Sequence, residues 1–401
     1  MKTIAIILLI NVLMYSTAGQ ATDSLQTQSQ NMADKLLSYD SKLTLGGYGE
    51  VHYNQPLNKN LKDNGVLDVH RMVVLLGYNF NSKVQFVSEI EFEHVSEVFI
   101  EQAFLQYKMN NYLNFRAGLM LIPMGIINEF HEPTTFNGVE RPAIDTRIAP
   151  TTWRESGVGL TGNILPASMK YQLYLVNGFN GYDGEAHLDG RNALRNGRQK
   201  GAESYISSPN ITGKIEYFGI RGLNAGLSGY FGKTQSKLYH GIDKDDDAAI
   251  ARADSSVTGI TMTGFDARYQ KGGLRLRGQI YYTTLSNTNQ YNIFTATDNE
   301  SNDLGSGMTG YYLEAGYDLL NLNPKAKSEL IVFTRYENYN THFRTAADLP
   351  KNKAYDNQII TSGITFKLAM GAVVKADIQF SRPAASDEFA KTFNAGFGVM
   401  F

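Results

Sequence analysis

The sequence predicts an all-β protein, a 16-stranded antiparallel transmembrane β-barrel with a long third loop folded into the lumen. Three observations predict it: apolar and polar side chains alternate from about residue 41 onward, every second connection is short, and the last segment ends in an aromatic residue. Successive side chains of a strand face opposite sides, so each segment has an apolar and a polar face. In a membrane barrel these faces contact lipid and the interior, respectively.

One segment near residue 90 illustrates the alternation. Its apolar face carries Val84, Phe86, Ile90 and Phe92. Its polar face carries Gln85, Glu89, Glu91 and Glu93. A strand needs about 9 to 11 residues to cross a bilayer at a tilt, and most segments reach that length. The sixteen segments are 41–53, 67–80, 82–93, 97–109, 112–121, 153–163, 168–178, 209–219, 222–234, 257–270, 272–285, 308–320, 326–341, 355–369, 371–381 and 391–401.

The connections alternate between short turns, such as Lys271-Gly272, and mostly long polar loops. Outer-membrane barrels have short periplasmic turns, longer extracellular loops and an even number of strands. We therefore expect a barrel in the bacterial outer membrane, in contact with lipid and lipopolysaccharide, with both termini in the periplasm and the long loops outside.

The amino-terminal residues 1–19 have the pattern of a signal peptide: Lys2, an apolar run from Ile4 to Leu13, and small residues before Gln20. The run is about half as long as a membrane-spanning helix. The chain has no Cys, which excludes a lipoprotein anchor and disulfides. Residues 20–40 are polar and predict a flexible periplasmic segment with one or two helical turns, or a docking segment for a partner. The barrel is expected over 41–401.

The last segment gives an independent indication of the same location. Phe393, Ala395, Phe397, Val399 and Phe401 form one apolar row that ends in an aromatic residue. This row resembles the terminal strand by which outer-membrane proteins of Gram-negative bacteria are recognised for assembly.

Several other classes of protein are disfavoured. A formal net charge of −2 gives no reason to expect nucleic acid as a partner. A soluble all-β protein, a sandwich or a propeller, would have a polar outward face, and a repeat of about 40 to 50 residues would be expected, which is not found. The seven His are scattered without ligand spacing and no hydrolase motif occurs, so neither an enzyme nor a cofactor is expected. The weak metal candidates Asp243, Asp245 and Asp247 lack the Gly and the distal Glu of a calcium loop.

The connection from residue 122 to residue 152 is long, and such a loop is usually functional. A barrel of 16 strands leaves an aqueous channel, so we expect this loop to enter the lumen and narrow it. The predicted constriction consists of Glu140, Arg141, Asp145 and Arg147. An exposed loop with solvated charges is the alternative.

The inward rows of the strands predict the pore lining. Its selected members are Arg71, Glu89, Glu91, Arg116, Arg275 and Arg277. Inward cations and carboxylates are about equally frequent, whereas strong selectivity requires one sign of charge along the path. The sequence therefore predicts weak selectivity.

Residues 116–159 contain the stretches RAGLMLIPMG, EFHEPTTFNGVERP and IAPTTWRESGVG, of which VERP at 139–142 and PTTWRESG at 150–157 are the most specific. They resemble porins of the O and P type, which include phosphate-selective porins, as these occur in Bacteroidota. The resemblance implies sixteen strands, a third loop inside the barrel and commonly a homotrimer. The arginine ladder of the phosphate-selective members is not evident here, so phosphate selectivity is not expected.

Together these features predict a porin for passive diffusion of small hydrophilic solutes or ions. The first alternative is a plugged structural or accessory barrel within a larger outer-membrane assembly. A minor alternative is an adhesin or surface enzyme that acts through the long loops.

Overall fold

The structure is a computed structural model that describes residues 30–58, 61–297 and 300–401. The predicted signal peptide, residues 1–19, and residues 20–29 of the following segment lie outside the described residues.

Sixteen antiparallel strands close a barrel in which each strand pairs with its neighbour in sequence and the last pairs with the first. Each predicted segment corresponds to one strand, so the predicted fold class is confirmed. Strands β1 to β16 are Leu43–Pro56, Val66–Asn79, Val84–Glu93, Glu97–Lys108, Asn114–Leu121, Arg154–Ile164, Met169–Val176, Asn210–Ile220, Leu223–Lys233, Gly259–Lys271, Leu274–Ser286, Gly307–Asp318, Glu329–Arg344, Asp356–Ala369, Ala372–Pro383 and Ala390–Met400.

Strand β11 shows how the alternating sequence becomes two faces. Leu276 and Ile280 are exposed on the outside of the barrel, whereas Gln279 and Tyr281 are buried inside it. Because the ring is closed, none of the sixteen barrel strands has an edge with unpaired backbone groups. A strand in contact with hydrocarbon must have its backbone groups paired in this way.

Among the β-bulges that interrupt this alternation are one in β2 and one in β4. The pairing of β2 with β1 skips His70, and the pairing of β4 with β3 skips Glu101. A bulge adds one residue to one strand of a pair and re-aims the neighbouring side chains. Both bulges therefore turn an additional polar side chain towards the interior.

The described residues also contain short helices and one small sheet. Helices α1 to α4 are Met32–Ser38, Ile144–Arg147, Asp247–Ser255 and Thr288–Phe294. Single 3-10 turns are Leu165–Ala167, Arg195–Gly197, Lys237–Tyr239, Leu319–Leu322 and Lys353–Tyr355. The segments Asn180–Tyr182 and Gln235–Ser236 pair in parallel outside the barrel wall. No helix among the described residues is both long enough and apolar enough to span a membrane.

The two ends of the barrel differ. The short-turn end carries connections such as 221–222 and 370–371, and the long-loop end carries 122–153, 177–209, 234–258 and 287–306. We call residues 122–153 the inner loop and residues 177–209 the cap loop.

Helix α1 lies inside the short-turn end, where Ala33, Leu36 and Leu37 are buried. The amide Nε2 of Gln85 donates a hydrogen bond to the carbonyl oxygen of Leu37 at 3.0 Å. The predicted helical turns are therefore present. Residues 32–38 are packed against the barrel, whereas the sequence predicted a flexible segment.

Candidate functional site

The inner loop crosses the lumen and bonds to walls far from its own strands β5 and β6. The backbone N–H of Val139 donates to Asp377 Oδ2 on β15 at 2.8 Å. The N–H of Ala143 donates to Glu337 Oε2 on β13 at 2.6 Å. A loop inside a protein needs partners for its backbone groups, and here carboxylates of the wall supply them. The predicted inward loop is thus part of the fold.

The four predicted constriction residues separate into two pairs. Asp145 is only 1% exposed, and its Oδ1 accepts hydrogen bonds from Gln279 Nε2 at 2.5 Å and Tyr281 Oη at 3.1 Å. Burial raises the pKa of Asp145 to about 7, against the opposing effect of these two hydrogen bonds. Arg147 donates to Asn192 Oδ1 of the cap loop at 3.2 Å. Asp145 therefore anchors the inner loop to β11 and lines no open space.

Glu140 and Arg141 lie on the other side of the lumen, beside β1. The Glu140 side chain is 39% exposed, and its Oε1 lies 3.3 Å from His52 Nδ1 and 2.9 Å from Asn54 Nδ2. Burial alone would raise the pKa of Glu140, but the hydrogen bonds from His52 and Asn54 lower it to about 2. Arg141 donates to the carbonyl oxygen of His131 at 2.7 Å.

Glu140 and Arg141 line a cavity of about 330 Å³ between the wall, the inner loop and the cap loop, which we call the upper cavity. Its charged and imidazole side chains are Glu50, His52, His70, Arg71, Glu91, Glu93, His94, Glu140, Arg141, Arg154, Arg195, Arg198 and Lys200. The cavity joins both sequence stretches, VERP and PTTWRESG, on which the resemblance rests.

One side of the upper cavity is a cationic band formed by Arg154, Arg195, Arg198 and Lys200. Among residues 30–58, 61–297 and 300–401, no carboxylate makes an ion pair with these four side chains. Arg195 and Arg198 both donate to the carbonyl oxygen of Thr151, at 3.2 and 2.7 Å. Burial and then the charges of Arg195 and Arg154 lower the pKa of Arg198 to about 9. The band thus concentrates positive charge.

Of the predicted lining residues, Arg71 and Glu91 face the upper cavity. Arg71 Nε lies 2.7 Å from Glu50 Oε1, and Arg71 Nη1 lies 3.1 Å from Glu91 Oε1. Glu89 is buried instead against Tyr48, Gln102 and His131.

The other predicted lining residues lie elsewhere in the barrel. Arg275 pairs with Glu329 at 2.7 Å and Arg277 pairs with Glu314 at 3.2 Å on the opposite wall. Arg116 faces a second cavity of about 510 Å³ at the short-turn end, where it contacts α1. The lining cations therefore do not form one continuous strip.

Three of the seven histidines lie together, so the prediction that they are scattered was wrong. The rings of His52 and His70 stack at 4.5 Å, and those of His70 and His94 lie 5.2 Å apart. Asp68 Oδ2 lies 3.1 Å from His70 Nδ1 and 2.7 Å from His94 Nδ1. The spacing Asp68-Val69-His70, which puts both polar side chains on one strand face, was the available signal.

Two groups of side chains in the described residues could bind a metal ion: Asp68, His70 and His94 form one, and Glu89, Glu101 and His131 form the other. The aspartates Asp243, Asp245 and Asp247 belong to neither group. They are exposed, and Asp243 instead accepts a hydrogen bond from the backbone N–H of Asp245.

Comparison with known proteins adds one relative in sequence. An uncharacterized protein of Aquifex aeolicus (strain VF5) is 32% identical over 358 residues, which cover 86% of this chain and 77% of that protein. No model of a protein family matches the chain, so membership of the porin O and P family stays a prediction.

Solved structures of outer-membrane proteins share the fold. The outer membrane channel DcaP of Acinetobacter baumannii aligns with a TM-score of 0.57 at 12% identity, and an anion-selective porin from Comamonas acidovorans with 0.55 at 13%. OmpT of Vibrio cholerae in its trimer form aligns with 0.53 at 10%. Each alignment covers 90% of this chain and 99% of the other. The likeness is one of fold, a porin-like barrel.

Proposed function

This chain belongs to the same family as the Aquifex aeolicus protein, and from its barrel we propose that it is an outer-membrane porin for passive diffusion of small hydrophilic solutes or ions. The observation that carries the proposal is the inner loop, which crosses a 16-stranded barrel and leaves charged cavities on both sides. Sixteen strands enclose an aqueous channel unless loops close it. No catalytic step is proposed.

The proposed orientation places the short-turn end in the periplasm and the long-loop end outside the cell. Short periplasmic turns and longer extracellular loops are general in such barrels. Exposed apolar side chains on the outer face, such as Leu227, Phe265 and Leu313, support contact with the lipid of the outer membrane. We also propose a homotrimer of the porin O and P type, which the trimer form of Vibrio cholerae OmpT supports by analogy.

The upper cavity favours weak selectivity for anions. Its lining contains six Arg and Lys side chains and four Glu side chains. The sign of the charge along the path sets the preferred ion. Because carboxylates lie close to the cations in this cavity, the preference should be small. The cationic band is the part that no carboxylate neutralises.

Reversal potentials in a salt gradient across planar bilayers test this proposal. The double variant Arg195→Gln/Lys200→Gln removes two half-buried charges of the band and should shift the reversal potential towards cations. Arg252→Gln, in the exposed helix α3, is the matched control and should leave it unchanged. If the reversal potential of the double variant were unchanged, the cationic band would not influence the permeating ions.

A second candidate is a plugged accessory barrel. Helix α1 is packed within the short-turn end, and the cap loop lines the upper cavity at the long-loop end, so both occupy space that solutes would need. If the folded chain gave no conductance, this candidate would be favoured over the porin.

A further inference from the structure

A buried cluster joins the inner loop to the wall on the side of β3 and β4. It consists of Glu89 on β3, Glu101 on β4 and His131 of the inner loop, which are 1%, 0% and 2% exposed. His131 Nε2 lies 3.3 Å from Glu89 Oε1 and 3.3 Å from Glu101 Oε2. The hydroxyl of Tyr48 lies 3.0 and 3.3 Å from the same two oxygens.

The surroundings of His131 fix which ring nitrogen carries a proton. Its Nδ1 lies 3.2 Å from the carbonyl oxygen of Asn128, which can only accept a hydrogen bond. Nδ1 is therefore protonated, and Nε2 faces the two carboxylates. This is the usual arrangement of a metal-binding histidine, whose second nitrogen donates to a backbone carbonyl. Asn128 is itself held, because its amide donates to Ile122 and Trp153 carbonyl oxygens at 2.7 and 2.8 Å.

The distances are compatible with a shared cation. A charge-assisted N–H···O bond is about 2.7 to 2.9 Å long, shorter than either contact of His131 Nε2. Two ligands of a tetrahedral zinc ion, with metal bonds of about 2.0 to 2.1 Å, lie about 3.3 Å apart. Both Nε2 contacts have that length, and all three possible ligand atoms lie within 4.8 Å of one another.

The cluster contains more carboxylates than cations, because among the described residues one imidazole, that of His131, is the ion-pair partner of both Glu89 and Glu101. Within the part of the chain that the structure describes, no Lys or Arg makes an ion pair with Glu89, Glu101 or the adjacent Glu132. Glu101 Oε1 and Glu132 Oε2 are buried without a hydrogen-bond partner. Burying uncompensated carboxylates is costly, so a cation at this place would stabilise the fold.

We propose that Glu89, Glu101 and His131 bind a divalent transition-metal cation, Zn²⁺ or an ion of similar preference, with Tyr48 Oη or water in the fourth position. The ion fastens the inner loop to β3 and β4. Because the site is enclosed, it is loaded during folding, when ligands that are far apart in sequence first meet. The β-bulge at Glu101 supplies the third ligand by turning that side chain inward.

The test measures zinc in barrels refolded into detergent with Zn²⁺ and then dialysed against metal-free buffer. We expect about one Zn²⁺ per wild-type chain by mass spectrometry of the metal content, and at least a tenfold loss in Glu101→Gln and His131→Asn. Heat-dependent gel mobility verifies that each variant is folded, and the Gln variant keeps the test usable if the Asn variant fails to fold.

His94→Asn is the matched control, because it disrupts the other group of possible ligands and should retain the zinc. The unfolding temperature should rise with Zn²⁺ in the wild type and stay unchanged in Glu101→Gln. The proposal is overturned if the wild type retains no zinc, or if His94→Asn loses it while His131→Asn does not.

Discussion

Arg335 on β13 shows how one wall residue positions the inner loop. Its guanidinium is fully buried, with Nε 2.8 Å from Glu337 Oε1 and Nη1 3.3 Å from Glu314 Oε2. It also donates to the backbone carbonyl oxygens of Asn137 and Glu140 in the inner loop. A buried charge of this kind is tolerated only when all its partners are in place, so it favours one path of the loop.

Asp145 should make the stability of the barrel depend on pH. Its pKa of about 7 in the folded protein lies above its ordinary value of 3.8. Its contribution to stability is therefore complete below about pH 4 and is lost as the pH rises through 7. In Asp145→Asn, which stays neutral, the unfolding temperature should fall less between pH 5 and pH 8.5 than in the wild type. If the unfolding temperatures of the two proteins changed equally with pH, the raised pKa of Asp145 would be contradicted.

The inner loop and the cap loop meet at an aromatic clamp. The ring of Trp153 lies 4.7 Å from that of Phe179 and 4.6 Å from that of Tyr230 on β9. Its Nε1 donates to Glu155 Oε1 at 2.8 Å. The clamp fixes the point where the inner loop enters β6.

Trp153→Ala should lower the free energy of unfolding by about 3 to 5 kcal/mol, as expected for loss of a large buried aromatic side chain. Trp153→Phe keeps the ring contacts and should lose much less. Urea unfolding followed by circular dichroism measures both. If the two variants were equally stable, the ring contacts at this position would not contribute to the free energy of unfolding.

The sequence predicted the strands and the course of the third loop because each depends on a local pattern of alternation or on loop length. It missed Glu101, since the β-bulge in β4 breaks the alternation that assigns faces. It also missed the approach of His131 to Glu89, a contact between residues 42 positions apart in the chain. It placed Asp145 at the constriction because charge alone does not tell an anchor from a lining residue.

The whole barrel combines an apolar outer surface with an interior in which most charges are paired. Ion pairs such as Lys214 with Asp266 at 3.1 Å and Arg268 with Glu216 at 3.0 Å connect β8 with β10 across the inner face of β9. The four side chains of the cationic band, by contrast, make no ion pair with a carboxylate of the described residues. In the proposed function, solutes pass through this interior and the inner loop limits their passage.

Single-channel conductance tests this claim most directly, with the wild type measured beside a variant in which residues 133–141 are replaced by a short Gly-Ser linker. Both proteins must first show the heat-dependent gel shift of a folded barrel. We expect small discrete conductance steps for the wild type and larger steps for the variant, because the loop no longer crosses the lumen. If neither folded protein conducted ions, or if both gave equal conductance steps, the proposed function of the inner loop would be wrong.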